Sequence, residues 1–469
     1  MTAFSVLCDI LNYKKKGVKM KKIIIIMLCR LMVLLTGCSK PSEEPVIADV
    51  DYDRYLMYKC ELPQPLYYPS REDFTKDGVL DHESWSIALA EFTTRNQDIE
   101  ANITFNRTLA PFYHTMVKTL LKDGKENRVF SPVNLYFNLT ALAAITQKDA
   151  KQEIMELLGT DEENALTDYQ RQWKDNQFTG KTVFNYASSI WFSDQLKLKK
   201  QNLKDFSDDY YTPVFVGTTG TDEYTGAFQS WLNDNTGKML TDYVSALKLD
   251  KEIRMALAST IYYKGSWMTG YLPDNTRKEV FHSPEGDVNT DMMHKSVSMI
   301  CLDNPYFTGV FDFVGSGSEI ALFLLPKEGV SFQEMYDSEE FRRIVFDNQV
   351  NDDEVRARMV DLTLPKFDVS ARFALEEILP SLGIKGIFGA QSDAFGTISD
   401  EPLAISAIEH ACRVRADENG IEAAAYTVEM AIGGALQEHV KLTFDRPFFF
   451  ALKSGYDNTV LFTGVIANP

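Results

Sequence analysis

The sequence lacks the local patterns by which many catalytic sites are recognised. It contains no His-Glu-x-x-His pair for zinc, no Cys-x-x-Cys, no Gly-x-x-x-x-Gly-Lys-Ser/Thr loop for phosphate and no Gly-x-Gly-x-x-Gly turn. Gly315-Ser316-Gly317-Ser318 departs from the Gly-x-Ser-x-Gly pattern of a nucleophile elbow. Six cysteines in 469 residues are too few for a disulfide-stapled scaffold. We therefore expect a protein that is not an enzyme and uses no metal ion or organic cofactor, with a hydrolase built on a non-local triad as an open alternative.

Basic residues are also scarce. The chain has 48 Lys and Arg against 67 Asp and Glu, a formal net charge of −19. Generic nucleic-acid binding needs a basic face, so we expect no nucleic-acid partner. With 45% hydrophobic and 25% charged residues, the composition is that of a globular protein with a sizeable core. At ~150 residues per domain, length alone would predict about three domains.

The first 37 residues have the opposite charge balance, with seven basic residues and one acidic residue. Their apolar run, Ile23–Thr36, is interrupted by Arg30 and is shorter than the ~20 residues of a membrane-spanning helix. A basic stretch before a short apolar run predicts a secretory signal peptide over residues 1–37. Met20 would be an ordinary start for such a peptide, so we suspect that residues 1–19 are not translated.

The apolar run ends in Leu35-Thr36-Gly37-Cys38, which resembles the lipobox of bacterial lipoproteins. The resemblance implies that Cys38 is acylated and becomes the mature N-terminus, a lipid anchor that needs no spanning helix. We therefore expect an outer-membrane lipoprotein on the cell surface or on the periplasmic face. The alternative is a plain signal peptide followed by a coincidental cysteine.

Removing residues 1–37 leaves 41 basic and 66 acidic residues and a net charge of −25. Residues 38–100 are acidic and rich in Pro and Tyr, which predicts a lipid-anchored tether or extension with a short helix around Trp85–Thr93. No linker-like break follows residue 103. We therefore expect one α+β domain over residues 101–469.

Local patterns within this domain predict both helices and strands. Ser131-Pro132 is a helix start, because Ser is a favoured N-cap and Pro is tolerated in the first turn. A helix over 150–158 should end at Gly159, which readily adopts a left-handed conformation. Apolar spacing predicts further helices near 199–210, 223–237 and 373–382, and strands near 183–192, 253–263, 296–302, 319–325 and 357–364.

The most unusual stretch lies between residues 413 and 447. Glu418-Asn419-Gly420-Ile421-Glu422-Ala423-Ala424-Ala425-Tyr426-Thr427-Val428 combines a glycine with small and β-capable side chains, without helical periodicity. The pattern predicts a long loop, and long loops in compact domains are usually functional. Its small side chains would let it fit between two strands. The alternative is a flexible surface loop rich in Ala and Gly.

This stretch resembles the proximal hinge of the reactive-centre loop of serpins, the family of serine protease inhibitors. It is followed by Leu442-Thr443-Phe444-Asp445-Arg446-Pro447-Phe448-Phe449-Phe450-Ala451-Leu452, which matches the serpin signature. Four further stretches also resemble family motifs: Asn127–Pro132, Ser259–Trp267, Leu362–Lys366 and Phe462–Pro469. Because at least five motifs occur in the family's order over about residues 103–469, the chain is identified as a member on this resemblance.

The resemblance implies the α+β serpin fold, with three β-sheets, about eight or nine helices and an exposed reactive-centre loop. It also implies suicide-substrate inhibition, in which a protease cuts the loop and is trapped when the loop inserts as a new strand into the central sheet. The strain of the uncut fold is part of that mechanism. We expect a monomer. The alternative is a serpin that no longer inhibits and acts as a binding or chaperone-like protein.

The resemblance also assigns residues to three control regions. The hinge comprises Glu418, Gly420, Ile421, Glu422, Ala423, Ala424 and Ala425. The shutter, a polar cluster beneath the sheet, comprises Ser131, Asn134, Ser259 and His410. The breach, where the loop enters the sheet, contains Trp267 and Lys366, with Lys366 paired to Glu418. Asn134 and Ser259 stand where the family usually has Ser and Asn, so we expect a hydrogen-bonded Asn134–Ser259–His410 cluster.

The position of the bond that a protease would cut depends on the direction of counting. Counting forward from Gly420 by family spacing gives Gly434-Ala435, and counting back from Pro447 gives Leu436-Gln437. We rank Gly434-Ala435 first, because inhibition depends on the length from hinge to bond.

No Lys or Arg lies between Arg415 and Lys441. We therefore expect an elastase-, subtilisin- or papain-like target protease and not a trypsin-like one.

Overall fold

The computed structural model of the chain describes residues 49–67, 69, 71–95, 99–175, 177–180, 182–315, 319–347, 349–388, 393–405, 408–421, 439–455 and 457–469. Residues 47–469 form one compact unit. The three domains that length alone predicts are therefore not present in this part of the chain, as the missing linkers indicated. No helix in the described ranges is both long enough and apolar enough to cross a membrane.

Eleven α-helices lie in the described residues. They are α1 (His82–Arg95), α2 (Ile99–Leu121), α3 (Pro132–Ala144), α4 (Lys148–Leu158), α5 (Glu162–Asp175), α6 (Lys200–Asp209), α7 (Asp222–Asn235), α8 (Thr241–Ala246), α9 (Phe332–Asp337), α10 (Glu339–Val345) and α11 (Leu375–Ile378). The number exceeds the expected eight or nine because it includes α1 and several helices of two turns or fewer. Ser131 caps α3 by accepting the Asn134 N–H, and Gly159 ends α4 at φ 69°, both as predicted.

Twenty strands accompany the helices in the described residues. They are β1 (Leu56–Tyr58), β2 (Leu66–Tyr67), β3 (Thr75–Lys76), β4 (Val79–Leu80), β5 (Arg128–Phe130), β6 (Phe178–Thr179), β7 (Val183–Ser193), β8 (Val214–Gly217), β9 (Met255–Ser266), β10 (Arg277–Ser283), β11 (Gly286–Asp303), β12 (Phe307–Val314), β13 (Glu319–Pro326), β14 (Val355–Pro365), β15 (Phe367–Ala374), β16 (Glu409–Ala416), β17 (Gly420–Ile421), β18 (His439–Thr443), β19 (Phe448–Ser454) and β20 (Val460–Ile466). The predicted strand near 296–302 is only the last part of β11.

The central sheet has the strand order β1-β8-β7-β9-β17-β16-β15, with β6 beside β7 and β2 beside β6. β7 and β9 pair antiparallel along most of their length, and so do β15 and β16. The central sheet therefore consists of two firmly paired halves. The two-residue strand β17 lies between them.

A second network has the order β18-β14-β11-β12-β13-β19-β20-β5, with β10 beside β11. β11 is 18 residues long and belongs to two sheets, since it pairs with β10 over Gly286–Met292, with β14 over Met292–Leu302 and with β12 over Ile300–Asp303. Together with the central sheet this gives the three sheets expected, and β3 and β4 add a separate two-stranded hairpin. One apolar cluster joins the inner faces, with Cys412 and Val414 from the central sheet and Phe323 and Phe450 from the second network.

Residues 50–58 differ from the tether prediction. Tyr52–Tyr55 forms a 3-10 helix, and β1 pairs antiparallel with β8 at the edge of the central sheet. Tyr52, Tyr55 and Leu56 pack against the apolar cluster beneath α7. The packed body thus begins near residue 50 rather than at 101, because burying these aromatic and aliphatic side chains is favourable. The helix predicted around Trp85–Thr93 is present as α1.

Candidate functional site

The site implied by the hinge lies in the middle of the central sheet, between β9 and β16. Among the described residues only β17 links these two strands. Gly420 and Ile421 pair with Ser266 and Gly265 of β9, and Ile421 also pairs with Ala416 of β16, all antiparallel. The Ile421 side chain is 4% exposed and therefore faces the core. The start of the hinge already occupies a position between two strands.

A cavity of about 170 Å³ continues the gap between β9 and β16 away from β17. It is covered by the connector, residues 236–254, which leads from α7 to β9 and contains α8. The Arg413 Nη1 of β16 donates to the Met239 carbonyl oxygen of the connector at 2.9 Å. The Arg372 guanidinium of β15 lies 5.4 Å from the centre of the Tyr243 ring. The connector therefore spans the gap and contacts the β15–β16 half of the sheet.

The breach, at the β17 end of the gap, holds the hinge by three hydrogen bonds to consecutive carbonyl oxygens. The Trp267 backbone N–H donates to Asn419 at 3.0 Å, and the Tyr271 backbone N–H donates to Glu418 at 3.0 Å. The Trp267 indole Nε1 donates to the Asp417 carbonyl oxygen at 2.7 Å. Trp267 is 2% exposed, so its ring both packs in the core and fixes the hinge register.

The Glu418 carboxylate makes the ion pair expected at the breach. Its Oε2 lies 2.9 Å from the Lys366 Nζ, and its Oε1 accepts from the Thr276 hydroxyl at 2.8 Å. Burial alone would raise the pKa of Glu418, but Lys366 and Thr276 outweigh burial and lower it. Because the Lys366 side chain is 37% exposed, the pair contributes only ~0–1 kcal/mol to stability. The pair links the hinge to Lys366, the residue that follows β14.

A buried ion pair lies beneath the breach. The Lys295 Nζ donates to both carboxylate oxygens of Asp312 at 2.9 and 2.7 Å and to the Thr269 carbonyl oxygen at 2.9 Å. The same ammonium lies 5.4 Å from the centre of a Trp267 ring and 4.3 Å from that of Tyr271. Burial lowers the pKa of Lys295 and raises that of Asp312, and their contact opposes both shifts. The pair supports both residues whose N–H groups hold the hinge.

The shutter residues meet beneath the central sheet, at the N-terminus of α3. The Ser259 hydroxyl of β9 donates to the Asn134 Oδ1 at 2.5 Å, which links the sheet to α3. The Asn134 N–H donates to the Ser131 hydroxyl at 3.2 Å, and the Ser131 N–H donates to the His410 Nε2 of β16 at 3.1 Å. The expected cluster is therefore connected, with Ser131 rather than a direct bond joining His410 to the Asn134–Ser259 pair.

His410 is a neutral core histidine. Its Nε2 accepts the Ser131 N–H, so the ring proton resides on Nδ1. The ring is 3% exposed and packs between Phe130 and Phe373. Burial lowers the pKa of His410 to about 3. The neighbouring Cys412 is equally buried, and burial raises the pKa of its thiol to about 12. Neither side chain is placed for catalysis.

Acidification is expected to destabilise the uncut protein through His410. Folded His410 resists protonation until about pH 3, whereas the unfolded imidazole takes up a proton near its usual ~6.5. The unfolded state therefore binds more protons between these values, and stability falls as the pH falls through ~6.5. The His410 contribution to this loss should reach about 2 kcal/mol near pH 5. Urea unfolding at neutral pH and near pH 5 measures it.

The matched variants are His410→Gln and His82→Gln, since His82 is an exposed histidine of α1. His410→Gln should lose less stability on acidification than the wild type, and His82→Gln should follow the wild type. Equal pH dependence in all three proteins would contradict the assignment of His410 as a group that only unfolding protonates.

The remaining site predictions fall outside the described residues. They are Cys38, the hinge residues Glu422, Ala423, Ala424 and Ala425, and both candidate reactive bonds, Gly434-Ala435 and Leu436-Gln437. The described residues bring together Ser131, Asn134, Ser259 and His410 in one cluster, and Trp267, Lys366, Glu418, Gly420 and Ile421 in another. No group of three or more potential metal ligands occurs in the described ranges.

Sequence reasoning missed Thr276, Tyr271 and the Lys295–Asp312 pair. One signal was available for Asp312. It lies on the same face of its strand as Val310 and Val314, and both of these valines are buried. A charge at an apolar position of a strand indicates a buried partner. No comparable signal marks Thr276, because its contact with Glu418 joins residues 142 positions apart.

Comparison with known proteins agrees with this geometry. A model of the family "Serpin (serine protease inhibitor)" matches residues 107–469. Alpha-1-antiproteinase of Callosciurus caniceps is 27% identical over 375 residues, covering 77% of this chain and 88% of that protein. Iripin-1 of Ixodes ricinus is 26% identical over 370 residues, covering 75% of this chain and 91% of that protein.

Solved structures show the same fold. The thermophilic serpin tengpin in its native state superposes with a TM-score of 0.70 at 22% identity, covering 78% of this chain and 94% of that one. Thyroxine-binding globulin in complex with thyroxine gives a TM-score of 0.64 at 23% identity, covering 79% of this chain and 98% of that one.

The chain belongs to the serpin family, because the family model matches more than half of its residues. Serpins are protease inhibitors, so this protein belongs to an inhibitor family and is not an enzyme.

Proposed function

We propose that this protein is a suicide-substrate inhibitor of serine endopeptidases, and also of papain-like cysteine endopeptidases, which it traps by inserting its cut loop between β9 and β16. The position of Gly420 and Ile421 carries the proposal, because both residues already pair as a strand at one end of that gap. Insertion of the cut loop would extend an existing ladder rather than start a new one.

The register of β17 gives the side-chain environment of each inserted residue. Continuing the antiparallel pairing from Ile421 would place residues 423 and 425 opposite Val414 and Cys412, which are buried. Ala423 and Ala425 are small and apolar, as this inner face requires. A strand of about a dozen residues bonded on both sides gains on the order of 10 kcal/mol, at ~0.5–1.5 kcal/mol per hydrogen bond.

Charge also favours the first step of insertion. The same register would place residue 422 opposite Lys264 of β9 and Arg415 of β16. Among the described residues neither cation takes part in an ion pair. In this register Glu422 would supply an acidic partner for both. The residue that follows Ile421 is therefore electrostatically suited to its expected neighbours.

The loop sequence selects the class of target. Between Arg415 and Lys441 it offers small and aliphatic residues and no Lys or Arg. We therefore propose elastase-, subtilisin- or papain-like targets, with cleavage at Gly434-Ala435 in preference to Leu436-Gln437. Trypsin-like enzymes need a basic residue before the cut and are not expected targets.

Incubation with a panel of these proteases tests the proposed function. We expect an SDS-stable covalent complex with elastase- or subtilisin-like enzymes, and mass spectrometry of the released peptide should place the cut at Gly434-Ala435. The cleaved protein should also unfold at a higher temperature than the uncut protein. Rapid turnover without a complex and without gained heat stability would contradict inhibition, and a stable complex with trypsin would contradict the target class.

A second candidate function is a non-inhibitory binding or chaperone-like protein. Two observations favour it. A structural neighbour, thyroxine-binding globulin, is described by the ligand that it binds. Glu429 would face inward in the family's register, where burying a carboxylate opposes insertion. The heat-stability measurement on cleaved protein separates the two functions, because only the inhibitor needs full insertion.

We also propose that the protein is a lipoprotein anchored through Cys38 to the outer membrane. The proposal is supported by the basic stretch, the short apolar run and the Leu35-Thr36-Gly37-Cys38 motif. Labelled palmitate should be incorporated into the wild-type protein, and Cys38→Ala should abolish both labelling and membrane association. Membrane association that survives Cys38→Ala would contradict the anchor.

A further inference from the structure

The segment Val50–Tyr58, named the clip here, connects two elements of the central region that are far from it in sequence. Its first residues contact α7, and its last residues form β1 on the edge strand β8. Leu56 pairs with Phe215 and Tyr58 pairs with Val214. The clip therefore ties α7 to the outer edge of the sheet half that contains β7, β8 and β9.

The contact of Val50 with α7 is accommodated by a glycine. The Val50 N–H donates to the Ser230 hydroxyl of α7 at 3.0 Å. A Cβ atom on Gly226, one helical turn earlier, would lie 3.0 Å from the Val50 Cγ2. Glycine inside a helix is less favourable than alanine by about 1 kcal/mol, so its presence here has a packing reason. The surface of α7 is shaped to receive Val50.

Two tyrosines of the clip extend the aromatic cluster under α7. The Tyr55 ring centre lies 4.9 Å from that of Tyr224 on α7, and the Tyr52 ring packs edge-on against Phe215 of β8 at 6.2 Å. Burial and the Asp234 carboxylate of α7 raise the pKa of Tyr52. The same apolar cluster includes Phe228 and Leu232 of α7. Tyr52 and Tyr55 are therefore part of the packing between α7 and the sheet.

An ion pair completes the contact. The Arg54 Nη1 binds the Glu223 carboxylate in the first turn of α7. Both side chains are largely exposed, so this pair contributes less than the packing. Hydrogen bonding, aromatic packing and charge pairing thus all join the clip to the same helix.

α7 lies next to the gap into which a loop strand would insert. Phe228 and Leu232 line the cavity between β9 and β16, and α7 runs directly into the connector that covers it. A new strand needs about 4.8 Å of added width between its neighbours. The contact between Arg413 and the Met239 carbonyl must then break, and the connector must lift together with the end of α7.

We propose that the clip sets the rate at which the loop enters the central sheet, by holding α7 down on the sheet half to which β8 belongs. This inference rests on the proposed function, since it concerns the same insertion step. The clip resists the opening motion and leaves the inserted end state unchanged. It slows insertion in the uncut protein, where premature insertion would remove the inhibitor.

The experiment compares full-length wild type with the double variant Tyr52→Ala/Tyr55→Ala. Each uncut protein is incubated at constant temperature, and its conversion to the heat-stable form is timed. The double variant should convert about tenfold faster, because two aromatic contacts that oppose opening are lost. Tyr67→Ala is the matched control, since Tyr67 lies in the same N-terminal region and is 57% exposed. It should convert at the wild-type rate.

A second variant separates the clip from general destabilisation of α7. Gly226→Ala should strengthen the helix itself but crowd Val50. The clip predicts that Gly226→Ala converts a few-fold faster, and that adding Val50→Ala restores the wild-type rate. A slower Gly226→Ala conversion would overturn the proposal, as would an unchanged rate in Tyr52→Ala/Tyr55→Ala.

The two proposals fail differently. If wild-type protein that has been cut in its loop never gains heat stability, the proposed insertion is wrong and the clip has no step to control. If cut wild type does gain heat stability but the clip variants convert at the wild-type rate, only the clip is overturned. Equal loss of unfolding stability in the uncut and cut forms, without a rate change, would assign these tyrosines a purely structural role.

Discussion

Replacing Ala425 by glutamate is expected to convert the protein from an inhibitor into a substrate. In the register that Ile421 sets, residue 425 would lie opposite Cys412 on the inner face of the sheet. Cys412 is 2% exposed, so a carboxylate at this position would be buried without a partner. That burial costs several kcal/mol, and each 1.36 kcal/mol slows a step about tenfold. The rate of loop insertion relative to the rate of acyl-enzyme hydrolysis should therefore fall by about two orders of magnitude.

Ala424→Glu is the matched control for this prediction. Residue 424 would lie opposite Arg413 and Tyr262, on the other face of the inserted strand. A carboxylate there meets the Arg413 guanidinium instead of the core. The number of inhibitor molecules consumed per protease inactivated measures both variants. It should rise more than about tenfold for Ala425→Glu and change little for Ala424→Glu. Similar behaviour of the two variants would show that the loop does not insert in the β17 register.

Replacing Lys295 by alanine should give the largest loss of stability of any single change at the breach. Asp312 would keep its buried carboxylate without the ammonium that now binds both oxygens. Breaking a buried ion pair from one side costs about 3–5 kcal/mol, because the remaining charge is uncompensated. Trp267 and Tyr271 would also lose the cation that lies against their rings. Urea unfolding of the uncut protein measures the loss.

The double variant Lys295→Met/Asp312→Leu distinguishes charge from packing. Replacing a buried pair by apolar residues of similar size is often close to neutral. The double variant should therefore recover most of the stability that Lys295→Ala loses. If the double variant is as unstable as Lys295→Ala, then the packing of the lysine stem matters more than the unpaired carboxylate.

Much of the control machinery could be predicted from local sequence. Ser131 and Pro132 define the start of α3, and Gly159 ends α4, because capping and left-handed backbone conformations depend on single residues. The shutter and breach residues were assigned by resemblance, and their contacts followed once the strands were in place. Asn134 and Ser259, which stand where the resemblance implies Ser and Asn, form a hydrogen bond with each other.

The N-terminal region shows where local reasoning ended. Acidity and proline content indicated a tether, but Tyr52 and Tyr55 pack on Phe215 and Tyr224, more than 150 positions further along the chain. Composition indicates how readily a segment is solvated. It does not indicate which distant part of the chain the segment packs against. Gly226 leaves space on α7 for a side chain. The sequence does not show that this side chain is Val50, which only the folded structure places beside it.

The sequence by itself determined the class of fold, the presence of a hinge with small residues and the absence of Lys and Arg between Arg415 and Lys441. These properties depend on residue type and order along the chain. Tertiary structure alone decided that Ile421 lies between β9 and β16, that Lys295 and Asp312 share a buried site, and that the segment near residue 50 holds α7. Each of these depends on strand register or on contacts between distant segments, which only the packed chain brings within a few ångströms.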